Sequence, residues 1–133
     1  MTSRNANPSP IRPKILAVDD EEVIGYLIRR VVLQMGYEVE WVTDCQTALK
    51  RLSTDRFDLI LSDFKMPGMT GEEFYYALAS IEPALLKKLV FITGDTITSK
   101  TLKFLKTRAI PYLSKPFELH KLEALIRKMV NGE

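Results

Sequence analysis

Five times along this chain a short apolar run is followed by a stretch whose apolar residues recur at helical spacing, and that alternation limits its fold more than any other feature. Ile15–Val18, Leu59–Leu61 and Leu89–Ile92 are continuous and partly β-branched, as strands are when a parallel sheet buries both their faces. Tyr37, Val39 and Trp41 alternate with Glu38 and Glu40, the pattern of a half-exposed edge strand. Ile110–Leu113 contains Pro111, which has no N–H to give to a central ladder, so this strand also belongs at an edge. Three central strands flanked by the second and the fifth follow from these patterns.

The intervening stretches read as helices. Val23, Leu27, Val31 and Met35 step by four residues, predicting a helix that Asp20 caps and Gly36 ends. Residues 44–53 predict a short helix with Asp44 as its cap, and Thr70 to Ser80 another, with Pro83 in the loop beyond. Thr98 or Ser99 opens a fourth through Leu102 and Leu105. Leu122, Leu125, Ile126 and Met129 mark the last, at i, i+3, i+4 and i+7. Strand–helix alternation implies right-handed βαβ units, hence an α/β fold with helices on both faces of a parallel sheet. Residues 1–13 carry Pro8, Pro10 and Pro13 without periodicity and read as a flexible N-terminal arm or linker, which leaves 14–131 as the folded domain.

Bulk properties exclude several classes. A chain of 133 residues has the size of one domain. Its apolar runs are at most six residues long, far short of a membrane span, and its first dozen residues lack the apolar core of a signal peptide. The single Cys45 excludes an internal disulfide and a Cys-cluster metal site, in keeping with a cytoplasmic protein. A net charge of +2 gives no argument for direct nucleic-acid binding. From Thr96 to Glu133, however, eight Lys or Arg face three Glu, which reads either as a solvated helix face or as a docking patch for an acidic partner.

In a parallel α/β sheet, ligands gather beyond the carboxyl ends of the strands. Those ends carry Asp19 and Asp20 after the first strand, Asp63 after the third, Thr93 after the fourth and Lys115 after the fifth. Carboxylates this dense call for a hard cation. Mg²⁺ suits them because it takes few protein ligands and keeps waters and phosphate oxygens, with Mn²⁺ as its substitute. Such a metal offsets the charge that would repel an incoming phosphoryl group. Taken singly, Asp19, Asp20, Glu21 and Glu22 also fit helix capping, Thr93 a strand-end hydroxyl, and Lys115 a surface lysine. Asp63 stands apart, because it directly follows an apolar run and precedes Met66-Pro67-Gly68, a turn that exposes it. Asp58, about 16 Å away along the strand and on the opposite face, is excluded.

The segments VDDE at 18–21, DLILSDFKMPGMTG at 58–71, FITG at 91–94 and YLSKPF at 112–117 resemble those of response-regulator receiver domains of two-component signalling. The match runs from residue 14 to residue 130. This resemblance implies the flavodoxin-like receiver fold, a five-stranded parallel sheet in the order 2-1-3-4-5 with helices on both faces. It implies that Asp63 accepts a phosphoryl group from a phosphohistidine on a sensor histidine kinase or histidine phosphotransfer protein. Asp20, Asp63 and the backbone carbonyl of Lys65 would hold Mg²⁺, with Asp19 acting directly or through water. Lys115 and Thr93 would contact phosphoryl oxygens. Tyr112 corresponds to the family's switch aromatic, which turns inward when Thr93 moves toward the phosphate; without switching it is an edge-strand aromatic with its hydroxyl in water. Lys65 and Asp95 flank the site where the family tunes dephosphorylation, and the Lys115–Pro116 bond is expected to be cis.

Pro111 departs from the family pattern, which more often has a small residue there, and stiffens the expected switch face. His120, the only histidine, falls on the polar side of the last helix, so the donor histidine belongs to another protein. The chain thus reads as a regulated interaction module and not a turnover enzyme, either stand-alone or excised from a larger protein. Its segments 91–96 and 111–116 lean toward the receivers of hybrid sensor kinases. The face of the last two helices and strand five is left for a second copy or an effector. The runner-up is a Mg-dependent aspartyl-phosphate phosphatase, whose nucleophile sits in an Asp-x-Asp motif after strand one. Here that strand ends Asp19-Asp20-Glu21. A flavin module would want a Gly-rich phosphate loop at this place, which is acidic instead.

Overall fold

The computed structural model describes residues 12–94 and 97–132, preceded by two short paired segments, Thr2–Ser3 and Asn5–Ala6. Most of the arm expected over residues 1–13 lies outside the described residues. Strands β1 (Lys14–Val18), β2 (Glu38–Val42), β3 (Leu59–Asp63), β4 (Leu89–Thr93) and β5 (Tyr112–Ser114) form one sheet. Its order is β2-β1-β3-β4-β5, with every pairing parallel. The continuous apolar strands are the central three, and the two edges are those marked by alternation and by Pro111. β5 begins at Tyr112, two residues later than the sequence pattern. Pro111 still accepts from Phe91 N at 3.1 Å, but has no hydrogen of its own to pair.

Alternation along each strand divides the core. Leu16, Val18, Ile60 and Phe91 face helices α2 (Cys45–Thr54), α3 (Gly71–Ile81) and α4 (Ser99–Thr107). Ile15, Ala17, Leu59, Leu61, Val90 and Ile92 face α1 (Glu22–Gln34) and α5 (Leu119–Asn131). Each fully buried Leu, Ile or Phe on these faces is worth about 1.5–3 kcal/mol of transfer free energy. The register sets the strand ends level, with Val18 beside Ser62, Asp63 beside Ile92 and Thr93 beside Ser114. Successive strands therefore release their chains at one edge of the sheet.

Local signals account for most helix ends. Asp44 accepts from Thr47 N at 2.7 Å, and Thr98 accepts from Thr101 N at 3.1 Å. Thr70 and Glu73 form a reciprocal capping box. Gly36, at φ 83°, stops α1 in the left-handed region. The start and face of α1 differ from expectation. Glu21, not Asp20, occupies the cap position, and its side chain accepts no capping bond. The buried face is Gly25, Ile28, Val31 and Val32, whereas Val23 is 71% exposed. Steps of four residues drift about 40° per step around a helix of 3.6 residues per turn, so a pure i+4 ladder leaves the core. The turn at Met66-Pro67-Gly68 is the bend of a tight hairpin pairing Lys65–Met66 with Met69–Thr70, and the loop marked by Pro83 holds a 3₁₀ turn over Pro83–Lys88.

That hairpin returns the chain to the start of α3, where Gly71 lies directly against the Phe64 ring. Phe64 in turn packs edge-on to Phe91, with ring centroids 4.9 Å apart. Alanine normally improves on glycine in a helix by up to about 1 kcal/mol. A Cβ on Gly71 would overlap Phe64, and overpacking of this kind costs about 1–3 kcal/mol. Gly71→Ala is therefore expected to lower the urea midpoint, and a raised midpoint would refute this packing account.

Candidate functional site

The level strand ends bring together Asp19 and Asp20 after β1, Asp63 and Thr93 at the ends of β3 and β4, and Lys115 after β5. Asp19 is fully buried and Asp63 is 7% exposed, whereas Asp20 is open to solvent. Each of the three offers a carboxylate oxygen, and these oxygens all lie within 4.8 Å of one another. Lys115 reaches into this cluster from the end of β5. Its backbone N–H donates to Thr93 O at 2.6 Å, and its Nζ sits 3.3 Å from Asp63 Oδ2 and 3.3 Å from Asp19 Oδ2. The Lys115–Pro116 bond is cis, as the resemblance implied.

The shortest contact of Lys115 is with neither of these acids. Nζ donates to Glu21 Oε1 at 2.6 Å, an ion pair across the mouth of the site. Sequence reasoning gave Glu21 only a capping role. Its position two residues after Asp19 was the available signal, because Asp19 Oδ1 accepts from Glu21 N at 2.8 Å and folds the turn back. Trp41, an edge-strand residue by its alternation, donates through Nε1 to the Asp19 carbonyl at 2.9 Å. Nothing local in the sequence announces that contact, which depends on the register of β1 with β2.

Burial sets the electrostatics. Desolvation pushes Asp19 from an ordinary 3.8 up to about 6, against the Glu21 N–H and Lys115 that favour its charge. Desolvation also raises Asp63, opposed chiefly by Lys115 and then by the Lys65 N–H, which donates to Asp63 Oδ1 at 3.3 Å. For Lys115, burial acts to lower the pKa, but the Glu21 bond and the charges of Asp19 and Asp63 outweigh it, so the ammonium is held above its ordinary range. Half-buried Lys115 thus contacts three acids, Asp19, Glu21 and Asp63. Two buried polar atoms have no hydrogen-bond partner among the described residues, Asp19 Oδ2 and Thr93 Oγ1. Lys115 is near Asp19 Oδ2 but not aligned to donate to it. An excess of hard oxygen ligands, one of them orphaned and buried, fits a hard divalent cation.

The remaining residues named from sequence fall as follows. Lys65 is exposed beside Asp63, and Asp95 lies outside the described residues. Tyr112 is half-buried, packs against the α2–α4 side of the core and stands opposite Phe91 in the ladder. Asp58 sits at the far end of β3, where its carboxylate accepts from Lys14 N at 2.8 Å, so its exclusion stands. His120 is exposed and 3.3 Å from Glu118.

The family model described as a response regulator receiver domain matches residues 15–127. The chain is 34% identical over 117 residues to Response regulator MprA of Mycobacterium leprae, covering 88% of this chain and 50% of that protein. It is 30% identical over 117 residues to Transcriptional activator protein IrlR of Burkholderia pseudomallei, with the same 88% and 50% coverage. The chain therefore spans about half the length of these curated relatives. The solved structure of the chemotaxis protein CheY4 of Vibrio cholerae is 30% identical, with a TM-score of 0.77 over 90% of this chain and 99% of that one. A CheY-like receiver domain protein of Methanospirillum hungatei superposes with a TM-score of 0.82 at 25% identity, covering 92% of this chain and 96% of that one.

The raised Asp19 pKa carries a sign. A carboxyl whose folded pKa exceeds its unfolded value opposes folding in full above the folded pKa and not at all below the unfolded one. Asp19→Asn keeps the Oδ1 acceptor and removes the charge. In chelator at neutral pH this variant is expected to be more stable than wild type by on the order of 1–3 kcal/mol, seen as a higher Tm. The advantage should shrink as pH falls through about 6 toward 3.8. Thermal melts across that range check it, and a lower Tm for the variant at neutral pH contradicts it.

Proposed function

The chain belongs to the response regulator receiver domain family, and from that premise we propose that Asp63 is its phosphoacceptor, charged by a phosphohistidine of a sensor histidine kinase or histidine phosphotransfer protein. The observation that carries this reading is the convergence of buried Asp63 with Lys115, Asp19 and Asp20 at the strand ends. In the step itself, an Asp63 oxygen attacks phosphorus as the P–N bond to the donor imidazole breaks. The bonding pair leaves on the ring nitrogen, and an acyl phosphate remains. Asp63 must be ionised to attack, and Lys115 and the Lys65 N–H favour that form against burial.

Asp19, Asp20, Asp63 and the backbone carbonyl of Lys65 would hold Mg²⁺. When bound, the ion supplies positive charge against the phosphoryl oxygens. Lys115 then exchanges part of its bonding from Glu21 to a phosphoryl oxygen, and the orphaned Thr93 hydroxyl donates to another. Drawing Thr93 toward the site loosens the end of β4 beside β5, where Tyr112 answers as the switch aromatic with Pro111 stiffening its strand. The receiver unit in this reading spans 14–131 and acts by changing partner binding, without turnover of a separate substrate, in the cytoplasm. The basic residues of α4 and α5 would suit an acidic effector, and the β5–α5 side a second copy.

The phosphatase reading is not favoured, because the reactive aspartate follows β3 and β1 ends in no Asp-x-Asp motif. Incubation with acetyl phosphate and Mg²⁺, read by intact mass, is expected to give one phosphoryl adduct on wild type and none on Asp63→Asn. An adduct of equal yield on the variant would sink the assignment. Lys65 and Asp95 are assigned to slowing hydrolysis, so Asp95→Ala is expected to shorten the lifetime of the adduct. An unchanged decay rate would remove them from that role.

A further inference from the structure

Trp41, the only tryptophan of the chain, has no part in the chemistry above, yet it touches the main chain of the most buried acid in the site. It stands opposite Ala17 in the β2–β1 ladder, and its ring leans across the first turn of α1. That approach exists because residue 25 is glycine, since any Cβ there would overlap the indole. Glycine is a poor choice inside a helix, so its pairing with the bulkiest side chain calls for a reason. The outcome of the pairing is the 2.9 Å bond from Trp41 Nε1 to Asp19 O.

Lys115 lies 3.3 Å from Asp19 Oδ2, and two further hydrogen bonds hold Asp19. Its N–H donates to Val42 O at 3.1 Å, which continues the ladder, and its Oδ1 accepts from Glu21 N at 2.8 Å, which is local to the turn. Neither holds the peptide that leads from Asp19 into Asp20. The indole does, by fixing the carbonyl of that peptide. We propose that Trp41, seated on Gly25, is a positioning residue for the metal site, aligning the Asp19–Asp20 peptide so that both carboxylates face Asp63. The inference rests on the proposed cation-holding role of these acids. Groups that orient metal ligands from behind commonly set affinity as strongly as a weak ligand does.

Mn²⁺ affinity measured by electron paramagnetic resonance, well below the melting temperature, tests this without any phosphoryl chemistry. Trp41→Phe keeps a ring and loses the donor, and Gly25→Ala evicts the indole. Both are expected to weaken Mn²⁺ binding about ten-fold. Leu52→Ala serves as the comparison for general destabilisation, because Leu52 is buried near the C-terminus of α2, which leads into the start of β3 and away from the strand ends that carry the site. It is expected to leave the affinity unchanged. Wild-type affinity in Trp41→Phe, or an equal loss in Leu52→Ala, would overturn the positioning role while leaving the metal site intact. Absence of Mn²⁺ binding to the wild-type chain would overturn the role and the metal assignment together.

Discussion

The half-buried ammonium of Lys115 is the interaction on which the site depends. Two carboxylates, Asp19 and Asp63, are taken almost wholly out of water within a few ångströms of each other, and a third, Asp20, adjoins them. Left to themselves these charges would force the strand ends apart or take up protons. Lys115 places one cation 3.3 Å from both buried acids, and Glu21 in turn anchors the cation from the solvent side. Even so, burial outweighs the Glu21 N–H and Lys115, so the pKa of Asp19 stays raised. The three carboxylates of Asp19, Asp20 and Asp63 with Lys115, and a Thr93 hydroxyl without a hydrogen-bond partner among the described residues, are the features on which the proposed cation and phosphoryl roles rest.

The fold supplies this arrangement cheaply in sequence terms. Parallel strands in register end at one level, so four short loops from β1, β3, β4 and β5 deliver all the participants without long excursions. The aromatic stack of Phe64, Phe91 and Phe104 lies immediately beneath, on the α2–α4 side. It ties the residue after Asp63 to the strand that ends in Thr93 and to α4. Any shift of Thr93 toward a group on Asp63 is therefore felt by a packed layer and not by an isolated loop.

Much of this was legible in the chain itself. Continuous apolar runs against alternating ones distinguished central from edge strands, because burial on two faces and on one face leave different patterns. Asp44, Thr70, Thr98 and Gly36 announced helix ends, since their chemistry acts within a turn. The strand-end residues Asp19, Asp63, Thr93 and Lys115 followed once the strands were placed. What escaped depended on geometry that a linear pattern does not carry. The buried face of α1 was misjudged because stepping by four ignores the drift around the helix. Glu21 turned back to Lys115 instead of capping, and Trp41 crossed to Asp19 through a gap that only glycine leaves.

If Asp63 is the phosphoacceptor, as proposed, its neighbours Asp19 and Asp20 keep their carboxylates and stay unmodified. Borohydride reduces an aspartyl phosphate to homoserine, which marks the reacted residue permanently for peptide sequencing by mass spectrometry. After exposure of the wild-type chain to acetyl phosphate and Mg²⁺, the account predicts homoserine at position 63 alone. Homoserine at position 19, 20 or 58, or at none, would contradict it.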